Sequence, residues 1–151
     1  MTKQIDEMDR RILRALKADG RITNLKLAES VNLSASACLR RVQDLEAAGV
    51  IKGYRARVDP CRDGRSFVAY VTVGLSSHTK AAQEGFERAM AIAHDVVECH
   101  NVAGAFEYLL RVETEDLASY KRFHTDTLGT LTHVASITSY IVMGSSKDER
   151  G

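Results

Sequence analysis

Apolar residues recur at helical spacing three times within the first 48 positions. Ile5, Met8, Ile12 and Leu16 stand at i, i+3, i+7 and i+11 and predict a helix over residues 6–18. Asp6 and Glu7 sit at its start, where negative charge is favoured, and Asp19-Gly20 closes it, with Gly20 available for a left-handed cap. Leu27, Ala28 and Val31 give a second, shorter helix one apolar face, and Thr23 is its N-cap. Ser34 caps a third, whose apolar positions are Cys38, Val42 and Leu45. Asn32-Leu33 is too short for a wandering loop, so the second and third helices read as a helix-turn-helix pair, with the first as third wall of their core. Opposite the seam, the third helix carries Ser36, Arg40 and Gln43, a face placed for the major groove of DNA; Arg41 lies beside it, nearer the seam.

Gly49 ends that helix, and Gly53 divides Val50–Val58 into two short extended pieces, a small wing. Lys52, Arg55 and Arg57 either reach backbone phosphates beside the groove or form a solvated strand face. Asp59-Pro60 and Asp63-Gly64 mark a hinge over 59–65, which separates residues 1–58 from residues 66–151.

The pattern then changes. Ser66–Leu75 is β-branched and aromatic and predicts a strand. Ala82, Phe86, Met90 and Ala93 predict an amphipathic helix over 79–93. Val96–Ala103 and Phe106–Glu113 read as strands joined by a tight hairpin at Gly104-Ala105. Leu117, Tyr120, Phe123 or His124, and Leu128 predict a helix from about Asp116 to Leu128, and Val134–Met143 a last strand. The order βαββαβ is the ferredoxin-like arrangement, an antiparallel sheet with two helices on one face, so the fold class is α+β. On the first strand Val68 and Tyr70 are apolar on one face and Phe67, Ala69, Val71 and Val73 on the other; the last strand divides into Ile137 and Ile141 against Val134, Tyr140 and Val142. A sheet apolar on both faces must bury both, and the uncovered one is expected to meet a second copy of the chain.

Composition narrows the function. Hydrophobic residues make up 44% and charged residues 27%, as in a folded globular chain. No apolar run approaches a membrane span and the first residues are too polar for a secretory signal, so a cytoplasmic protein without membrane contact is expected. Net charge is only +1, but residues 1–64 hold 13 basic against 9 acidic side chains and residues 65–151 hold 8 against 11. A head this weakly basic binds phosphate weakly, so DNA affinity should need several heads together. Cys38, Cys61 and Cys99 are odd in number and widely spaced, which fits reduced thiols. Cys99 and His100, with His94, make a poor metal set because neighbours on a strand face opposite ways. No catalytic triad order, P-loop, GxGxxG or HExxH is present, so an enzyme, a cofactor and a metal are not expected.

The chain resembles the Lrp/AsnC, or feast/famine, family of transcription regulators. The resemblance rests on Asp9, Ile12-Leu13, Asp19-Gly20-Arg21-Ile22, Val31-Asn32-Leu33-Ser34, Cys38-Leu39-Arg40-Arg41-Val42, Gly49-Val50-Ile51-Lys52-Gly53-Tyr54, Tyr108-Leu109-Leu110-Arg111-Val112 and Tyr140-Ile141-Val142-Met143. It implies a helix-turn-helix head on a small βαββαβ domain that senses amino acids, in dimers that assemble further, often to octamers. It also implies an effector site near the turn between the middle strands, at the contact between dimers. This chain departs from the family at Ala35 and Ala37, where prolines are common, and at Asp44, where basic residues are common. In the sensing turn it has Gly104-Ala105-Phe106-Glu107 where Gly-Asp-aromatic-Asp is usual, leaving Glu107 alone to hold an ammonium group.

The expected DNA contacts are therefore Arg40 and Gln43 to base edges, Ser34 and Ser36 to phosphate at a helix N-terminus, and Arg21, Asn24, Lys52 and Arg55 to phosphate. Arg41 either joins them or pairs with Asp44 or Glu46. For an amino-acid effector, Gly104 allows close approach of the backbone through Ala105 and Phe106, Glu107 offers charge, and Thr138, Ser139 and Tyr140 offer hydroxyls. The leading expectation is a sequence-specific transcriptional regulator that answers to an amino acid or related metabolite. An architectural, nucleoid-organising protein of the same fold without a ligand is the alternative.

Overall fold

The computed structural model describes residues 4–59 and 62–148 of the 151, so Pro60 and Cys61 of the expected hinge lie outside the described residues. The chain divides into two compact units, Met1–Ala56 and Arg57–Gly151.

The first unit holds α1 (Glu7–Ala18), α2 (Asn24–Val31) and α3 (Ala35–Ala47). Each is started by a side-chain cap: Asp6, Thr23 and Ser34 accept from the amides of Asp9, Lys26 and Ala37. Gly20 does not take a left-handed conformation after α1. Asp19 closes that helix instead, extended at φ −143°, its carboxylate accepting from Arg21 N at 2.9 Å. An Asp side chain that bonds two residues ahead makes the turn without help from glycine. The left-handed residue falls at Asn32 (φ 58°, ψ 49°), and Leu33 N then donates to Ala28 O at 2.9 Å. Asn tolerates this conformation better than most residues, which is what lets the N-cap of α3, Ser34, follow two residues later. Gly49 (φ 68°) ends α3 and turns the amides of Val50 and Ile51 back onto Leu45 O. Ile12, Leu27, Ala28, Val31, Cys38 and Leu45 are buried together between the three helices. Each fully buried Leu, Ile or Val side chain of such a core contributes about 1.5–3 kcal/mol. The expected wing strands do not form: Lys52–Asp59 carries no strand. Neither half of it finds a partner strand, and Tyr54 instead donates from its hydroxyl to Glu46 Oε1 at 2.8 Å.

In the second unit four antiparallel strands lie in the order β2 (Val96–Asn101), β3 (Tyr108–Thr114), β1 (Phe67–Leu75), β4 (Val134–Ile141). α4 (Lys80–Ile92) and α5 (Leu117–Arg122), capped by Thr79 and Asp116, cover one face. α5 runs on as a π-helical turn over Phe123–Leu128, closed by Gly129 N donating to His124 O at 2.9 Å. The wider turn lets Tyr120, Phe123 and Leu128 all point inward, so Phe123 is the buried member of the Phe123/His124 pair. Ala69, Val71, Val73, Tyr108, Leu110 and Val112 are fully buried beneath the helices. The β2–β3 connection is wider than a two-residue hairpin: Ala103–Phe106 form the loop, and Val102 N donates to Glu107 O at 2.9 Å.

A register shift between Gly74 and Leu75 changes the reading of β4. It brings Val134 opposite Leu75, onto the helix-covered core rather than onto the face of Tyr140. The uncovered face is also less apolar than β1 and β4 alone suggested. Val68, Tyr70, Tyr140 and Val142 make an apolar side, but the strands beyond carry Glu98, His100, Glu107, Arg111 and Glu113. Arg111, only 7% exposed, is held there by Glu113 Oε1 (2.7 Å from Nε) and by the Tyr70 hydroxyl and Asp148 Oδ2 (2.9 and 3.2 Å from Nη1). Its burial is met by neighbours on its own chain, so a second copy is not needed to cover it.

Candidate nucleic-acid interface and effector turn

The reading face of α3 follows from its core. Cys38 and Leu45 point inward with no exposure, and at 3.6 residues per turn that sends Ser36, Arg40 and Gln43 to the opposite side, where all three are exposed. Leu39, 45% exposed, flanks them. Ser34 Oγ accepts from Ala37 N and lies 3.3 Å from Ser36 Oγ, so both hydroxyls stand at the N-terminus of α3. Asn24 is tied to the same end, its side-chain amide donating to Ala35 O at 2.8 Å. That bond uses one of the two amide hydrogens of Asn24 and clamps α2 to α3, while the second is a donor that a phosphate could take. Arg21, Lys52 and Arg55 are exposed.

Arg41 does not join this face. Its Nη1 lies 2.8 Å from Asp6 Oδ2 and 2.8 Å from Asp9 Oδ1, so it turns back to the start of α1 rather than to Asp44 or Glu46. Asp9 is 1% exposed. The two carboxylates are engaged twice, each with the other's backbone amide and each with Arg41. The Asp9 amide, then Arg41, hold the Asp6 carboxyl below the usual carboxylate range, and the same pairing raises the Arg41 guanidinium further above its ordinary value. Periodicity could not find Asp9, because a carboxylate on a core-facing position reads as an exception to the pattern.

At the effector turn, Glu107 lies at the end of β3, beside Gly74 and Ser136 on the uncovered face. Glu107 Oε2 accepts from Leu75 N at 2.7 Å, the amide freed where the register shifts, and Oε1 lies 3.3 Å from His78 Nδ1. A side chain at position 74 would collide with Ser136 Oγ, so glycine there keeps the carboxylate and the hydroxyl close to one strand. Gly104 and Ala105 are exposed, and Phe106 is half-buried. The three hydroxyls expected here are not together. Thr138 and Tyr140 pair with Thr72 and Tyr70 and share the uncovered face with Glu107. Ser139 pairs with Val71, on the helix side, and hydrogen-bonds the Tyr120 hydroxyl. Alternation along a strand sends neighbours to opposite faces. Ser136, Gly74, Leu75 and His78 were missed, since which β4 residue stands opposite Glu107 depends on a bulge that alternation does not reveal.

Elsewhere the described residues contain no group of three His, Cys, Asp or Glu side chains able to hold a metal ion. Cys99 faces the helices, where burial and Glu87 push its thiol up to about 11, while His100 faces the other way and the His94 ring is hydrogen-bonded by the Arg65 guanidinium. No helix among the described residues is long and apolar enough to cross a membrane.

The Lrp/AsnC ligand-binding domain family matches residues 68–151, and a winged helix-turn-helix DNA-binding family matches residues 5–52. The chain is 41% identical over 143 residues to a proline dehydrogenase transcriptional activator of Rhodobacter capsulatus, covering 95% of this chain and 93% of that one. It is 37% identical over 145 residues to the leucine-responsive regulatory protein of Escherichia coli K12, covering 96% and 88%. A transcriptional regulator of Neisseria meningitidis, crystallised with L-methionine, superposes with a TM-score of 0.91 at 32% identity over 96% of this chain and 94% of that one.

Proposed function

The chain belongs to the Lrp/AsnC family of DNA-binding transcriptional regulators, and we propose that it reads double-stranded DNA through α3 under the control of an amino acid bound near Glu107. One observation carries the reading: Ser36, Arg40 and Gln43 form an exposed polar face backed by buried Cys38 and Leu45. Arg40 and Gln43 present side chains suited to the N7 edges of guanine and adenine, and Ser34 and Ser36 suit a phosphate at the start of the helix. Residues 1–58 serve as the reading head, 59–65 as the hinge and 66–151 as the sensing and pairing domain, in the cytoplasm. The apolar side of the uncovered sheet face (Val68, Tyr70, Tyr140 and Val142) meets the same face of a second copy, and dimers assemble further. Pairing places two weakly basic heads on one duplex, which multiplies their affinity through effective concentration.

A second reading, an architectural DNA-binding protein with no effector, is favoured by one detail. Both oxygens of Glu107 already have partners, Leu75 N and His78, and Ala105 offers no second carboxylate. One experiment separates the two. Duplexes are selected from a randomised pool by the purified protein, and affinity and melting temperature are then measured against the common amino acids. An effector at about 100 times its dissociation constant adds roughly 2.7 kcal/mol of stability. Silence across the panel with tight DNA binding selects the architectural reading, and failure to enrich any sequence refutes sequence-specific recognition.

A further inference from the structure

Arg41 is one residue from the proposed base-reading Arg40, yet about 100° further round the helix it is engaged by the start of α1. The contacts that hold α3 inward are mostly apolar: Cys38 and Leu45 are buried among side chains of α1 and α2. Apolar contact is non-directional, so it fixes how deep a helix sits better than how it is rotated about its own axis. The bonds from Arg41 Nη1 to Asp6 and Asp9 are directional, both 2.8 Å, and they anchor the middle of α3 to the first turn of α1. The anchor is itself rigid. Asp6 Oδ1 accepts from Asp9 N at 2.7 Å and Asp9 Oδ2 from Asp6 N at 3.4 Å, so each carboxylate has one oxygen in the helix cap and one on the guanidinium. The Asp9 side chain is 2% exposed, so this carboxylate cannot swing out to water without opening the head.

We propose that the Asp6–Asp9–Arg41 brace sets the rotation of α3 and so aims Arg40 and Gln43 at the bases, making Arg41 a positioning residue for DNA recognition that touches no phosphate. Successive helical residues differ by 100° about the axis, so a small rotation at Arg41 moves Arg40 by the same angle. A long side chain converts that angle into a displacement that spoils bidentate geometry. The inference rests on α3 being the reading helix.

The test measures binding of purified Arg41→Met and Asp9→Asn proteins to a duplex that the wild type has selected from a randomised pool. Binding is measured well below each variant's melting temperature and over a range of salt. The brace and a phosphate contact differ in sign for Asp9→Asn. Freed from Asp9, a phosphate-binding Arg41 would tighten the complex, whereas a lost brace weakens it. Both variants should bind roughly tenfold more weakly, toward the low end of the loss of one bidentate base contact. The double variant should be no weaker than the weaker single one, and the slope of log affinity against log salt should stay at the wild-type value. A slope flattened by about one unit in Arg41→Met, the mark of one lost phosphate contact, overturns the proposal. So does wild-type affinity in the folded Arg41→Met protein. Should either variant fail to fold, Asp6→Asn serves: it keeps a capping oxygen at an exposed position, removes one charge from the brace, and should weaken binding in the same direction. Unchanged or tighter binding by that variant likewise overturns the proposal. If the wild type selects no duplex, the DNA reading fails first, and the brace is left as a contact without the role assigned to it.

Discussion

Replacing Glu107 separates the structural duty of this carboxylate from its proposed service to an effector. Its Oε2 takes the Leu75 amide at 2.7 Å, at the point where β1 and β4 change register. Leu75 is 6% exposed, so water is poorly placed to substitute. Glu107→Ala strands a buried amide and removes a charge-assisted bond, at a cost of about 1–3 kcal/mol. The His78 contact adds little, because His78 is 74% exposed and an ion pair in the open is worth roughly 0–1 kcal/mol. Glu107→Gln keeps an oxygen for the Leu75 amide and loses only the charge, so its cost should stay below about 1 kcal/mol. Urea unfolding gives the stabilities, hydrogen exchange reads the Leu75 amide directly, and calorimetric titration with amino acids reads the effector site. The Leu75 amide should exchange about 5- to 150-fold faster in Glu107→Ala and change little in Glu107→Gln. Effector binding should fall in both. An alanine variant as stable as the wild type to within about 0.5 kcal/mol, with Leu75 equally protected, would refute the claim that this carboxylate holds the bulge.

Arg40→Ala should weaken binding to the selected duplex by roughly 1–3 kcal/mol and to random duplex by less; equal losses on both would move Arg40 to the phosphate contacts. Tyr140→Glu places a charge on the apolar side of the uncovered face, where Tyr140 is 57% exposed, and should convert the proposed dimer to monomers in sedimentation velocity. An unchanged sedimentation coefficient would exclude that face from the contact. The caps make acid stability predictable in sign. The carboxyls of Asp6 and Asp116 are held below 3.8, chiefly by the backbone amides of Asp9 and Ser119. A carboxyl with a depressed folded pKa stabilises above its unfolded pKa, and that contribution fades as pH falls through the folded value. The melting-temperature gap between wild type and Asp116→Ala should therefore be widest above pH 4 and narrow on acidification. A gap that grows in acid would contradict the assigned shift.

What the chain determined by itself is local. Thr23, Ser34 and Asp6 start helices because each presents an oxygen to the amide three residues on. The spacing of Ile12, Leu27, Val31, Cys38 and Leu45 picks out one face per helix before any partner is known. The outward set Ser36, Arg40 and Gln43 follows by subtraction. The alternation in β1 likewise separates Ala69, Val71 and Val73 from Val68 and Tyr70. Tertiary structure decided whatever depends on residues far apart in the chain. Arg41 meets carboxylates 35 and 32 residues back, Glu107 closes on Leu75 32 residues away, and Tyr70 meets Arg111 across 41. A period of 3.6 or 2 carries no information about such pairs, since it fixes the direction of a side chain and not what stands there. The bulge at Gly74 and Leu75 shows the same limit: one shifted residue moved Val134 into the core, because strand register is settled by the packing of a whole face.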